Sequence, residues 1–346
     1  MNLSSILKGL FCVTLIAGLT ACNKDGACPG NGGSDFLLTI KDQSTTLPSN
    51  VTIFFKVDQR DGKPVPGLSE ANFSIYEKGR NDECELPISA FESNAQILLD
   101  PQVFVYCTAL ILDLSGSVTQ TALNELKTSA KTFIDEVLPS GQAYDSYKMG
   151  IWWFDGSPDL KQLVATTSNV TNLKNAIDGI DANISQDNST NLYGAVVLGT
   201  DLAAQGLLAF QNQNILSASS VVIFTDGRDQ AGIVAKQSAL DAVTAANDNI
   251  SFFTIGLGGE IDQTVLSQIG QDGTAFAADS DDLEATFTEI ANLVFEEANS
   301  YYLFTYCSPK RDGSGLNELK IVATLGQESG GLTTSFNATD FTSGCN

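Results

Sequence analysis

The chain changes its hydrophobic period twice. From Phe36 to about Asp100, apolar residues come in short runs: LLTI, VTIFFKV, FSIYEKG and ISAFES. Alternation is plain in Asn72-Phe73-Ser74-Ile75-Tyr76-Glu77, and turn residues intervene at Pro48-Ser49-Asn50 and Asp61-Gly62. Short alternating runs bounded by turn residues predict strands. From Val103 to about Asn299 the pattern becomes strand, helix, strand. VYCTALILD, MGIWWF, SSVVIFTD and ISFFTIGLG are near-continuous apolar runs, as expected of strands covered on both faces. KQLVATT predicts a short edge strand and TAFAA a last short one. Between them Leu123, Leu126, Ala130, Phe133 and Val137 recur at a helical period. Asn191 to Phe210 predicts a long apolar helix and Ala231 to Asn247 another. Asp281-Asp282-Leu283-Glu284 predicts an N-cap with a capping-box glutamate, opening a helix with Leu283, Phe287, Ile290 and Val294 on one face. From Ser300, SYYLFTYCSP and NELKIVATLG return to β, with Asp312-Gly313 in the turn region between them.

Alternating strands and helices of this length predict an α/β fold with a doubly wound, mostly parallel sheet over residues 103–299. The β-rich flanks, 36–102 and 300–346, are each too short to fold alone. They are expected to pack together as a small β-sandwich into which the α/β part is inserted.

The first residues predict a targeting segment. Lys8 supplies a positive charge and GLFCVTLIAGLTAC follows, an apolar stretch too short to span a bilayer comfortably. Its end, Leu19-Thr20-Ala21-Cys22, resembles the lipobox of bacterial lipoproteins. That resemblance implies a signal peptide over 1–21 and a lipid on Cys22, with ordinary cleavage around Ala21 as the alternative. Asn23 rather than Asp follows the cysteine, which by the sorting rule of enteric bacteria implies the outer rather than the inner membrane. The expected place is therefore the bacterial cell envelope, anchored through Cys22. Residues 22–35, rich in Gly, Asn and Asp, predict a flexible tether.

Removal of Cys12 and lipidation of Cys22 leave five of the seven cysteines, Cys28, Cys84, Cys107, Cys307 and Cys345. An oxidising envelope allows two disulfides and one cysteine over. Sequence does not fix the connectivity; Cys107 with Cys307 is the candidate pair, and Cys28 the candidate odd residue. The net charge is -23 and there is no histidine. The charge argues against nucleic acid and anionic membrane surfaces as partners. The missing histidine removes imidazole catalysis and ligation.

The candidate chemistry lies where strands end. VYCTALILD runs into Asp113-Leu114-Ser115-Gly116-Ser117 immediately before a helix. One carboxylate and two hydroxyls on a tight turn are hard oxygen donors, suited to Mg²⁺, Mn²⁺ or Ca²⁺ and not to zinc. SSVVIFTD ends in Asp226, and Thr190, in Asn188-Ser189-Thr190-Asn191, starts the long helix. In doubly wound sheets ligands bind at the carboxyl ends of strands. Singly, each residue has a bland explanation: Ser115 and Ser117 as turn residues, Thr190 as an N-cap, Asp226 as a turn former. Together, Asp-x-Ser-x-Ser, a later Thr and Thr-Asp-Gly resemble the von Willebrand factor A domain family across residues 103–299.

That resemblance implies a metal-ion-dependent adhesion site. Ser115 and Ser117 would ligate the ion directly, and Thr190 would be a third hydroxyl ligand, direct or through water. Asp113 and Asp226 would act mainly through water or by orienting the hydroxyls. The implied cofactor is a divalent cation, Mg²⁺ first, with Mn²⁺ or Ca²⁺ as alternatives. The implied partner is a protein or peptide offering an acidic side chain to the metal. The flanks, Gly62-Lys63-Pro64-Val65-Pro66-Gly67-Leu68 before Asn72 to Glu77 and Tyr301-Tyr302-Leu303 with Ser308-Pro309 after, are similar to bacterial von Willebrand-related proteins, which place strands on both sides of the A domain. The expected function is binding rather than catalysis. An envelope assembly factor whose metal only stabilises the fold is the alternative, and a metal-assisted hydrolase ranks below both. Around the motif, Asp155 is expected in a surface turn rather than on the site's rim. Asp229 is expected to cap the next helix, and Trp152 and Trp153 to lie in the core. Arg228 is a secondary candidate to contact an acidic partner.

Overall fold

A computed structural model describes residues 33–77, 87–89, 93–97, 103–138, 146–185, 187–310, 315–342 and Cys345. The expectations for the signal segment, Cys12, Cys22, Cys28, Cys84 and Asp312-Gly313 lie outside these residues.

Four strands come first: β1 (Phe36–Thr46), β2 (Asn50–Gln59), β3 (Phe73–Glu77) and the two-residue β4 (Gln96–Ile97). The α/β part follows with β5 (Phe104–Asp113), α1 (Gly116–Thr121), α2 (Leu123–Val137), β6 (Tyr147–Phe154), β7 (Lys161–Thr167), α3 (Val170–Asp178), α4 (Leu192–Gln211), β8 (Leu216–Thr225), α5 (Lys236–Thr244), β9 (Ile250–Leu257), α6 (Gln263–Ile269), β10 (Gly273–Ala277) and α7 (Leu283–Ala298). β11 (Tyr301–Cys307), β12 (Leu316–Leu325) and β13 (Glu328–Asn337) return to β.

β5 lies inside a six-stranded sheet of order β10-β9-β8-β5-β6-β7, parallel except for the antiparallel edge β7. Both faces of β5 are covered. Leu110 and Leu112 join one core with residues of α2, α3 and α7, while Ala109 and Ile111 join another with residues of α4, α5 and α6. Burial on both sides is why the strand's sequence is apolar without alternation. α4 is long and apolar enough to cross a membrane by length and composition. Here it packs Leu192, Ala195, Val196 and Ala203 into the second core.

The flanks form two antiparallel sheets, β1-β2-β11-β4 and β13-β12-β3, which share a core. In β2, Val51, Ile53, Phe55 and Val57 alternate into that core. Phe54 points the other way, to within 5.1 Å of Phe104 and 5.8 Å of Tyr301 between ring centroids. The unbroken Ile-Phe-Phe run therefore serves two cores at once.

Several expectations are corrected. β13 is not predicted by pattern because Gly330-Gly331 reads as a loop. A Cβ at Gly330 would overlap the Phe36 carbonyl oxygen, so the glycine marks where β1 passes close by. Of ISAFES only Ile88, Ser89 and Ser93 are described, so the strand expected there lies largely outside the described residues. The helix expected over Ala231 to Asn247 is only Lys236–Thr244, and Gly232, at φ +62°, stands outside it. Asp279, not Asp281 or Asp282, is the capping side chain before α7. It accepts from Asp281 N, and Glu284 instead accepts from Thr132 Oγ1 at 3.0 Å. The short helices α3 and α6 were not expected; Asn169 and Asp262 cap them.

The expected Cys107–Cys307 bridge does not form. Cys307 is bonded to Cys345, with 5.8 Å between Cα atoms, and Cys107 is a free thiol. The two cysteines belong to different sheets. Cys107 sits in β5 beside Lys148 of β6, whereas Cys307 pairs with Asn50 at the far end of β2, near Ser49.

Candidate metal centre

Parallel pairing of β5 with β8 sets Leu112 opposite Phe224, so Asp113 and the Thr225-Asp226-Gly227 turn emerge side by side. Asp113 is fully buried. Its Oδ1 accepts from Ser115 N at 2.9 Å and its Oδ2 from Thr225 Oγ1 at 2.6 Å. The carboxylate thus fixes the turn that presents the serines. Burial pushes its pKa up to about 7, against the pull of the Thr225 and Ser115 hydrogen bonds and with Asp226 adding to the rise.

Ser115 occupies the N-cap position of α1 but its side chain makes no capping bond. Its Oγ lies 3.4 Å from Ser117 Oγ, and Ser117 Oγ donates to Asp226 Oδ1 at 2.9 Å. Burial raises the Asp226 pKa, Ser117 opposes the rise and Glu260 adds to it.

Thr190 is 2% exposed. It is not the cap of α4: Asn191 takes that role, accepting from Gly194 N at 3.2 Å. The Thr190 carbonyl accepts from Gln230 N at 2.8 Å and Ala231 N at 3.1 Å. Its hydroxyl faces Gly227, where a Cβ would stand 3.4 Å away. Ser117, Thr190 and Asp226 line one cavity of about 450 Å³, which Glu260 and Asp279 also line.

All five motif residues are thus brought to the carboxyl edge of the sheet by three segments: the β5–α1 turn, the loop before α4 and the β8 turn. The set is all oxygen. Among the described residues no Lys or Arg forms a salt bridge with Asp113 or Asp226, and no cluster of three or more His, Cys, Asp or Glu side chains stands ready for a metal. One buried carboxyl, Asp113, and one half-buried one, Asp226, with three neutral hydroxyls and no cationic partner suit a hard divalent cation, which would supply the missing positive charge.

Two neighbours depart from expectation. Asp155 is neither on the rim nor in a surface turn; it is fully buried. Lys161 Nζ lies 2.8 Å from its Oδ1. Burial raises the Asp155 pKa, but Lys161 and the hydroxyls of Ser157 and Ser185 outweigh it and hold the carboxyl down to about 2. Asp229 does not cap the next helix but supports the first turn of the preceding one. It accepts from Tyr193 N at 3.0 Å in the first turn of α4 and from Gly232 N at 3.1 Å. Lys161 was not singled out, and only the Asp155-Gly156-Ser157 turn signal hints at the partnership. Arg228 is exposed, and Trp152 and Trp153 are buried on opposite sides of the sheet as expected.

The sequence model of the von Willebrand factor type A domain matches residues 109–292. The chain belongs to this family. Domains of the family generally mediate adhesion or protein–protein interaction. Among solved structures, a von Willebrand factor type A protein from Catenulispora acidiphila aligns over 90% of this chain and 75% of its own, at 11% identity and a TM-score of 0.46. Proximal thread matrix protein 1 from the mussel byssus, solved with a zinc-occupied MIDAS motif, aligns over 56% of this chain at 16% identity and a TM-score of 0.44. This alignment spans 48% of the mussel protein. The von Willebrand domain of the type V pilus tip protein Mfa5 from Porphyromonas gingivalis aligns over 55% of this chain and 95% of its own, at 12% identity and a TM-score of 0.42. No curated protein sequence matches the chain.

Proposed function

We propose that the chain binds a protein or peptide ligand through a divalent cation held by Asp113, Ser115, Ser117, Thr190 and Asp226. The observation that carries this reading is the hydroxyl of Thr190. It is almost wholly buried, is released from capping by Asn191, and lines the same cavity as Ser117 and Asp226. Mg²⁺ takes six oxygens and readily keeps waters. Neutral hydroxyls leave its charge incompletely matched, so a carboxylate from a partner supplies both a ligand and the missing charge. Turnover is not part of this reading, because the chain has no histidine to serve as a base. We place the protein in the bacterial cell envelope, lipid-anchored through Cys22, with the outer membrane preferred.

The test is thermal unfolding of residues 23–346 with Mg²⁺ and with chelator, alongside Ser115→Ala/Ser117→Ala. An ion present at about 100 times its dissociation constant adds about 2.7 kcal/mol. The expected result is stabilisation of the parent and none of the double variant. Equal behaviour of both with and without the ion refutes the metal site and leaves a metal-independent envelope assembly factor as the better account.

A further inference from the structure

The loop that presents Thr190 runs from the end of α3 to α4 and includes no strand among its described residues. What holds it is the turn after β6. Asp113 pairs with Phe154, so Asp155 stands one residue beyond the level of the metal-site carboxylate on the neighbouring strand.

Asp155 grips this loop at two points, Ser185 in its middle and Asn191 at its end. Its Oδ2 accepts from Ser185 Oγ at 2.9 Å, and its carbonyl accepts from Asn191 N at 3.0 Å. Asn191 Nδ2 in turn donates to Ser157 O at 3.0 Å. The other carboxylate oxygen is filled by Ser157 N at 3.0 Å, Ser157 Oγ at 2.5 Å and Lys161 Nζ at 2.8 Å. Lys161 is itself steered by the Trp153 ring, 4.2 Å from its ammonium. Between the two grips, Asp187 Oδ1 accepts from Ser189 N at 2.9 Å and Ser189 Oγ at 2.7 Å. A Cβ at Gly156 would overlap both Ser189 Oγ and Asp187 Oδ1. On the opposite side, a Cβ at Gly116 would overlap Asn188. The Thr190 loop is therefore wedged between the Asp155 turn and the Ser115–Ser117 turn.

We propose that Asp155, held by Lys161, is the positioning residue for Thr190, setting where its hydroxyl stands relative to Ser117 and Asp226. Asp155 hydrogen-bonds to none of the five metal-site residues and acts through Ser185 and Asn191. This rests on the metal-site reading above. Partners of this kind typically govern ten- to a hundredfold of metal affinity.

The experiment titrates Mn²⁺ alone, followed by electron paramagnetic resonance, into the parent, Asp155→Asn, Thr190→Ala and the double variant. Amide hydrogen exchange of the metal-free proteins is recorded in parallel. Asp155→Asn is expected to weaken Mn²⁺ binding about tenfold, and the double variant to bind no more weakly than Thr190→Ala alone. Exchange at Ser189 and Asn191 should quicken while β5 stays protected. Lys161→Arg should keep parental affinity, and Lys161→Met should behave like Asp155→Asn. Parental Mn²⁺ affinity in both Asp155→Asn and Lys161→Met, or fully additive losses in the double variant, overturns the proposal. If the parent binds no Mn²⁺, the metal-site reading falls by itself. Exchange then decides the positioning: unchanged Ser189 and Asn191 amides overturn it, and faster ones uphold the hold of Asp155 on the loop.

Discussion

Lys56 Nζ lies 2.9 Å from Glu297 Oε2, an ion pair that joins β2 of the sandwich to the last turn of α7. Glu297 is buried, and its other oxygen accepts from Ser251 Oγ at 2.8 Å and Tyr301 OH at 3.3 Å. Lys56 also lies 3.0 Å from Asp58 Oδ1. Burial lowers the Lys56 pKa, but Glu297 and Asp58 outweigh it and the net direction is up. Beside these charges the rings of Phe54, Phe104 and Tyr301 form an apolar layer. Lys56→Met should therefore strand a buried carboxylate and cost about 3 kcal/mol. Adding Glu297→Gln should recover part of that loss. Urea unfolding of the two variants checks both, and equal stability of Lys56→Met and parent would show the pair to be idle.

The Asp155 carboxyl gives a pH signature. Its native pKa, about 2, is below the ordinary value of 3.8, so the native state favours its ionised form. The stabilisation is complete above about pH 4 and is lost as pH falls through about 2; it is worth about 2 kcal/mol. Asp155→Asn should be less stable than the parent by roughly that amount at neutral pH, with the gap narrowing below pH 4. Denaturant unfolding at a series of pH values measures the gap, and a constant difference down to pH 2.5 would contradict the assignment.

Cys107 is half-buried, and burial pushes its thiol up to about 12. Thiolate is the reactive form. Alkylation of Cys107 by iodoacetamide at pH 8 should be slow in the native protein and fast in urea, followed by mass spectrometry of its peptide. The non-reduced digest should carry Cys307 linked to Cys345. A peptide linking Cys107 to Cys307 would contradict that pairing.

Gly330 and Gly206 separate two kinds of glycine. A Cβ at Gly330 meets the Phe36 backbone, which cannot step aside as a flexible side chain can. Gly330→Ala should cost about 2–3 kcal/mol through overpacking. Gly206, inside α4, has nothing within 4 Å of its would-be Cβ, so Gly206→Ala should add about 0.5–1 kcal/mol through helix propensity. Thermal unfolding distinguishes the signs.

The alternation of strands and helices was legible because burial on both faces of β5, β6, β8 and β9 leaves little room for polar residues. The five motif residues were legible only as a set, through the resemblance of Asp-x-Ser-x-Ser, a later Thr and Thr-Asp-Gly to a known family, since each one singly had a bland explanation. The supports were not. Asn191 rather than Thr190 caps α4, and two polar neighbours at a helix start look interchangeable in a sequence. Asp155 and Lys161 meet because β6 and β7 pair, a tertiary fact hidden behind an ordinary Asp-Gly-Ser turn. β13 was hidden by Gly330-Gly331, whose meaning depends on the passage of β1, almost three hundred positions earlier. The cysteine pairing followed the same rule: only the sheet assignments of Cys107 and Cys307 separate them.

The pairing of Lys56 with Tyr301 across β2 and β11 also dictates an order of birth. On a ribosome the β1–β2 hairpin emerges early, and a two-stranded ribbon is marginal by itself. Its open, apolar edge must wait for nearly the whole α/β part to be made before β11 arrives. Pairing between such distant segments is slow, and an unpaired edge is a template for other chains. The strands bearing Asp113 and Asp226 can pair sooner, so the inserted part matures first and the sandwich closes around its completed base. A nascent chain cut short before β11 would keep its motif residues yet expose β2, making aggregation, rather than loss of the motif, the first cost of truncation.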